Sequence, residues 1–256
     1  MTKDAIITVT NLTKLYKKIH AVNHISFEVM QGEIFGFLGP NGAGKTSTIK
    51  ILTGLIQPTS GTATILGKDI RTHMVEIKRT IGVVTEDSNL YDELSVFDNL
   101  QFVGQLYGVP RQKREQKIEE LLEKLGLTEK KEAKFATLSK GMKRKVIIAA
   151  ALVHSPQIIF LDEPTTGLDV LSVRILRAMI KELKALGVTI FLTTHYIEEA
   201  EQLCDHVAIL VNGSIKTVDT TANLITSTTC KNLEEAFIEI TGLKEEIMLV
   251  EKEGKR

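Results

Sequence analysis

The stretch Ile34-Phe35-Gly36-Phe37-Leu38, followed by Gly39-Pro40-Asn41-Gly42-Ala43-Gly44-Lys45-Thr46, decides how this chain is read. Its first part is a short apolar run with no polar alternation, which suits a strand buried on both faces, as in a parallel sheet. Its second part fits G-x-x-x-x-G-K-[ST] in full, and residues 46–55 read as a helix. A strand, a glycine loop and a helix in that order wrap backbone N–H groups around phosphate, aided by the positive end of the helix dipole. The glycines keep Cβ atoms out of the way. Lys45 is placed to reach the β- and γ-phosphates, Thr46 to offer its hydroxyl to Mg²⁺, and Ser47 to lie close to the α-phosphate. The expected ligand is a nucleoside triphosphate with Mg²⁺.

Three further runs share the character of the first: residues 81–84, 158–161 and 188–192. They end at Thr85-Glu86, Asp162-Glu163 and Thr193-Thr194-His195. Ligands of open α/β sheets gather at the carboxyl ends of the strands. The four runs would therefore deliver the glycine loop, two acidic sites and a histidine to one edge. Paired with the loop, the acids divide the work. Asp162 suits the Mg²⁺ shell, and Glu163 suits a base that polarises water for in-line attack on the γ-phosphate.

The remainder predicts a layered α/β chain. Residues 6–9, 25–29 and 62–66 read as short antiparallel strands of a small β lobe. Ser95-Val96-Phe97-Asp98 has the form of a capping box with Asp in place of Glu or Gln, and its helix should stop by Gly108-Val109-Pro110. Ile118, Leu121, Leu122 and Leu125 mark one face of a helix over 111–125, ended by Gly126, and another helix should run over 139–153. Residues 90–151 are thus a helical insertion between two core strands. Leu233, Phe237 and Ile240 share a face of a C-terminal helix, which precedes a charged tail.

Bulk properties narrow the function. The 256 residues carry 32 basic and 32 acidic side chains, and this neutral balance argues against coating a nucleic acid. The two cysteines, Cys204 and Cys230, have no metal-type spacing and fit a reduced, cytoplasmic protein. The longest wholly apolar stretch, 146–153, is far short of the roughly 20 residues of a membrane helix, and the first residues lack an apolar signal. A membrane role would require docking on another chain.

At this point the sequence resembles the ATP-binding cassette (ABC) ATPases, over about residues 5–225 and in one unbroken motif order. Leu138-Ser139-Lys140-Gly141-Met142 is similar to the family signature, usually Leu-Ser-Gly-Gly-Gln. Gly167-Leu168-Asp169 is similar to its D-loop, His195 to its switch histidine, and Tyr16 to the aromatic residue that stacks on adenine. The resemblance implies a P-loop, RecA-like core with a parallel sheet, an N-terminal antiparallel β subdomain and an inserted helical subdomain. It implies an ATPase domain over 1–225, with lobe and core at about 1–89 and 152–225, the insertion at about 90–151, and a short C-terminal helix and tail at 226–256. It also implies a head-to-tail pair of subunits in which Ser139 and Gly141 of one chain face the ATP of the other, with Asp169 at the dimer interface.

Two sites depart from the family pattern. Glu86 stands where a glutamine normally follows the strand; a carboxylate still suits Mg²⁺ but only accepts hydrogen bonds. Lys140 and Met142 replace glycine and glutamine, and Lys140 either adds charge near the trans phosphate or points into solvent. These features, with Asn232-Leu233-Glu234-Glu235-Ala236-Phe237, resemble export-type ATPases encoded apart from their membrane subunit. The resemblance implies a transmembrane permease partner, a homo- or heteromeric second ATPase subunit, no nucleic acid, and a peripheral place on the inner face of the cell membrane. The alternatives are an importer ATPase, for whose usual regulatory domain we expect too few residues after 225, and a non-transport ABC ATPase.

Overall fold

The computed structural model describes residues 4–85 and 90–242. In chain order its elements are β1 (Ala5–Tyr16), β2 (Ile19–Met30), β3 (Ile34–Leu38), α1 (Lys45–Leu52), β4 (Ser60–Ile65), β5 (Lys68–Asp69), α2 (Met74–Lys78), β6 (Ile81–Val84), α3 (Val96–Leu106), α4 (Arg111–Lys124) and α5 (Lys140–Leu152). They continue as β7 (Ile158–Asp162), α6 (Val170–Ala185), β8 (Thr189–Thr194), α7 (Ile197–Leu203), β9 (His206–Val211), β10 (Ser214–Thr220), α8 (Thr221–Ser227) and α9 (Leu233–Thr241).

Two sheets form. An antiparallel sheet has the order β2-β1-β4-β5, and a second has the order β10-β9-β3-β8-β7-β6. In the second sheet β9, β3, β8, β7 and β6 pair parallel, and β10 closes the edge antiparallel to β9. This is the P-loop α/β fold with an antiparallel β lobe, and α3, α4 and α5 all fall between β6 and β7.

Strand periodicity sorts the core into two sides. Ile34, Leu38, Ile159, Leu161, Ile190 and Leu192 face a cluster built with α3–α5. Phe35, Phe37, Phe160 and Phe191 face the other cluster, with the β lobe. There Phe27 of β2 packs on Phe35, Phe37 and Phe191, with ring centroids 5.4, 5.0 and 6.0 Å away. An aromatic layer thus joins the two sheets, and aliphatic side chains receive the helices.

The helices start where the caps predict. Ser95 Oγ accepts from Asp98 N at 2.9 Å and donates to Asp98 Oδ2 at 2.7 Å. Ser139 caps α5, its Oγ accepting from Met142 N at 3.3 Å. On α9, Leu233 and Phe237 are buried and Ile240 packs against the core, as its spacing predicts.

Several elements differ from expectation. β1 and β2 extend well beyond 6–9 and 25–29, because an antiparallel ladder with one wet face tolerates polar residues between bulges, and one irregularity lies between Val9 and Leu12. α1 stops at Leu52 instead of Leu55, with Gly54 left-handed at φ 68°. The sequence reading also omits α2, β9, β10 and the helices α6–α8. Of these, β9 is an apolar run like the four that were read, and it adds a fifth parallel strand beside β3.

Phe191 is fully buried and touches Phe27, Phe35, Phe37 and Phe160. Phe191→Ala should cost about 3–5 kcal/mol of stability, read by chemical denaturation; a loss below about 1 kcal/mol would refute the aromatic layer as the joint between the sheets.

Candidate functional site

The loop after β3 is shaped by close backbone approaches. Gly44 precedes α1 with φ 106°, and a Cβ there would come within 2.2 Å of the Ala21 carbonyl oxygen. A Cβ on Gly39 would come within 2.3 Å of the Leu210 carbonyl oxygen. Neither position accepts a side chain. α1 then begins with no side-chain cap and no acid in its first turn, so its first N–H groups stay available to an anion.

Lys45 is buried, and its Nζ donates to Gly39 O at 2.8 Å and Pro40 O at 3.1 Å. It also pairs with Glu163 Oε1 at 3.2 Å. Glu163 Oε2 meets His195 Nδ1 at 3.0 Å and accepts from Thr166 Oγ1 at 3.2 Å. Beneath them, Asp162 Oδ1 accepts from Thr46 Oγ1 at 3.3 Å and from Thr193 Oγ1 at 2.6 Å. The carboxyl ends of β3, β7 and β8 thus bring Lys45, Thr46, Asp162, Glu163 and His195 together.

Of these, Lys45, Thr46, Glu163 and His195 line a cleft of about 630 Å³. Asn41, Gly42, Gly44, Thr46 and Ser47 line its floor, with Gly39 and Ala43 buried beneath. Tyr16 and Ala21 also line it, with Tyr16 half-exposed at the tip of β1 and Lys14 Nζ 5.2 Å from its ring centroid. An aromatic face, a glycine cradle and charged side chains thus share one cleft.

The donor set suits Mg²⁺. A hydroxyl and a carboxylate, Thr46 Oγ1 and Asp162 Oδ1, already share a hydrogen bond. Mg²⁺ takes hard oxygen ligands and is usually held by one or two carboxylates plus substrate phosphates. Glu86, the third expected ligand, lies outside the described residues.

Burial pushes the Glu163 carboxyl up, but the hydrogen bond and charge of Lys45, the charge of His195 and the Thr166 hydroxyl together hold it below the ordinary range. Its ionised form therefore stabilises the fold above the ordinary carboxylate pKa, and that contribution is lost as the pH falls through the depressed value.

The signature residues lie elsewhere. Ser139, Gly141 and Asp169 do not line the cleft of their own chain. Ser139 and Asp169 are exposed N-caps, of α5 and α6 respectively. Asp169 accepts from Ser172 N at 2.9 Å and from Ser172 Oγ at 2.7 Å, and these bonds lower its carboxyl pKa. Gly141 gains a local reason to be glycine, since a Cβ there would lie 2.4 Å from Ser172 Oγ. Lys140 is exposed, with its Nζ against Gly167.

Sequence reasoning misses three contributors. Thr193 fixes Asp162, Thr166 fixes one Glu163 oxygen, and Arg144 reaches the backbone of both acids from α5. Arg144 had a signal, since it lies one turn before Ile148 on the buried face of its helix.

The sequence model of the ABC transporter family matches residues 22–166. The chain is 39% identical over 236 residues to the linearmycin resistance ATP-binding protein LnrL of Bacillus subtilis, covering 89% of this chain and 76% of that protein. It is 39% identical over 208 residues to the Nod factor export ATP-binding protein I of Ralstonia nicotianae, covering 81% of this chain and 65% of that one. Its fold is similar to a structure of an ATP-binding subunit of an ABC transporter, with a TM-score of 0.84 and 32% identity, covering 92% of this chain and 99% of that one. It is also similar to an ATP-binding cassette solved as a dimer in a post-hydrolysis state bound to ADP and Pi, with a TM-score of 0.76 and 27% identity, covering 84% of this chain and 98% of that one.

In Lys45→Ala the chief opposition to burial is gone, so Glu163 should titrate at a higher pH than in the unaltered protein. Carboxyl ¹³C NMR titration without nucleotide reads this shift directly, and an unchanged titration would refute the Lys45–Glu163 pair as its cause.

Proposed function

This chain belongs to the ABC transporter family, and from that premise we propose that it is the ATP-hydrolysing, energy-coupling subunit of an export complex. The observation that carries the proposal is the meeting of Lys45, Glu163 and His195 in the cleft lined by the glycine loop, with Asp162 bonded to Thr46 beside them. Tyr16 stacks on the adenine, which needs only a π face. The loop and the first turn of α1 hold the phosphates, and Lys45 neutralises them. Thr46, Asp162 and Glu86 hold Mg²⁺, which supplies charge neutralisation on the phosphate oxygens.

Lys45 pairs with Glu163 and with two loop carbonyls. A phosphate beside Lys45 competes for that cation and leaves Glu163 Oε1 able to accept a proton from water. His195 steadies the other carboxylate oxygen and contacts the γ-phosphate in this reading. Such catalysis rests on positioning and electrostatics.

Ser139 and Gly141 complete the site of a second ATPase subunit, with Asp169 at the junction. Three things support this reading: the exposure of Ser139 and Asp169, their absence from their own cleft, and the dimeric relative bound to ADP and Pi. Domain roles divide accordingly. Residues 1–89 and 152–225 bind and hydrolyse ATP, 90–151 form the arm that moves a transmembrane permease, and 226–256 add a C-terminal helix and tail. Coupling is by docking on a membrane partner at the cytoplasmic face; no helix of the described residues is long and apolar enough to cross a membrane. The relative named for Nod factor export supports the direction of transport.

Glu163→Gln should bind Mg-ATP, lose at least about 10²-fold in kcat and accumulate as a closed dimer; turnover near that of the unaltered protein would remove Glu163 as base. Ser139→Arg should keep nucleotide binding by the monomer but block hydrolysis by filling the trans site. Unchanged ATPase activity in that variant would exclude the paired arrangement.

A further inference from the structure

We propose that Arg144 is a positioning residue for hydrolysis, holding the backbone that aims Glu163 and tying it to α5. This rests on the reading of Glu163 as the base. Arg144 is buried in the second turn of α5. Its Nε donates to Pro164 O at 3.0 Å, and its Nη2 to Asp162 O at 3.0 Å and Glu163 O at 3.2 Å. Its Nη1 donates to Thr85 O at 2.7 Å. One guanidinium therefore gathers the last carbonyl of β7, the two that follow it and a fourth just after β6.

Successive carbonyls of an extended strand point to opposite sides. Their convergence on one cation requires a sharp turn at Glu163, which has φ 46°. A left-handed conformation is disfavoured for a side chain without the local hydrogen bonding of Asn or Asp, and it persists where surrounding contacts over-determine it. Arg144 supplies such contacts. Its planar fork carries five donors in fixed directions and stays charged, whereas a lysine offers three donors from one point.

The turn sets the direction of the Glu163 side chain and so its meeting with Lys45 and His195. Arg144 also shares a helix with Ser139, the exposed N-cap of α5. A shift of α5 in response to a group at Ser139 would act on the Glu163 backbone through this one side chain. Thr85 adds the segment after β6 to the same junction. The cleft itself is lined by other residues, so Arg144 acts through Glu163 without touching nucleotide.

The test uses the full chain with Arg144→Gln and Arg144→Lys, measuring ATPase kcat and KM, affinity for a fluorescent ATP analogue, and Tm. Arg144→Lys keeps the charge and provides the measurement if Arg144→Gln does not fold. The expected result is a fall in kcat on the order of 10²-fold, as for a misplaced catalytic group, with nucleotide affinity changed by less than about threefold. Tm should stay close to that of the unaltered protein in Arg144→Lys. Turnover of Arg144→Lys within about twofold of the unaltered protein would overturn the proposal. A parallel loss of turnover, nucleotide affinity and Tm in Arg144→Lys would also overturn it, because that pattern belongs to an arginine that only supports the fold. Equal turnover of Glu163→Gln and the unaltered protein would instead remove the base on which the proposal rests, a result read from a different variant.

Discussion

The Glu163 carboxylate lies between Lys45 Nζ at 3.2 Å and His195 Nδ1 at 3.0 Å, and much of the structure serves to hold it there. The three residues follow three neighbouring strands of one parallel sheet, β3, β7 and β8, whose register is fixed by pairs such as Leu38 with Thr194 and Asp162 with Thr193. That sheet is stabilised on one face by an aromatic layer shared with the β lobe and on the other by aliphatic contacts with the helices. The antiparallel lobe in turn carries Tyr16 to the mouth of the cleft. A one-residue slip of any central strand would exchange its aromatic and aliphatic faces and displace a charged group from the site.

Burial and charge oppose each other at this point. Burial alone would raise the Glu163 carboxyl, and Lys45 chiefly reverses it. A cation that keeps the acid ionised is also the group best placed to receive a phosphate. Under the proposed function a phosphate would draw Lys45 from one Glu163 oxygen, and nucleotide binding would be linked to the base through that lysine. Such a charged, partly enclosed arrangement costs stability in isolation and is expected where function is selected.

Much of this was legible in the sequence because it depends on local rules. The apolar runs at 34–38 and 158–161 are short and continuous, which favours strands buried on both faces over short buried helices, and both ended where chemistry was expected. The glycine loop was legible because its spacing and context admit few alternatives. The roles of Thr193 and Arg144 were not, since they arise from contacts across strands and between α5 and the sheet, and Thr166 matters only because the turn after β7 brings its hydroxyl back to Glu163. The twelve-residue strands β1 and β2 were underestimated because a wet sheet face hides its strand signal among polar residues. Ser139 was found by its motif and at an expected helix start, and the fold adds that it lies away from the cleft of its own chain.

The central claim is that the chain holds half of each ATP site and a second subunit holds the other half. It is tested most directly by mixing chains carrying Asn41→Cys with chains carrying Ser139→Cys, both with Cys230→Ser, and applying a short thiol cross-linker. Covalent dimer that forms with Mg-ATP and is absent without nucleotide is the predicted result. Cross-linking that fails with Mg-ATP, or proceeds equally without it, would contradict the shared site.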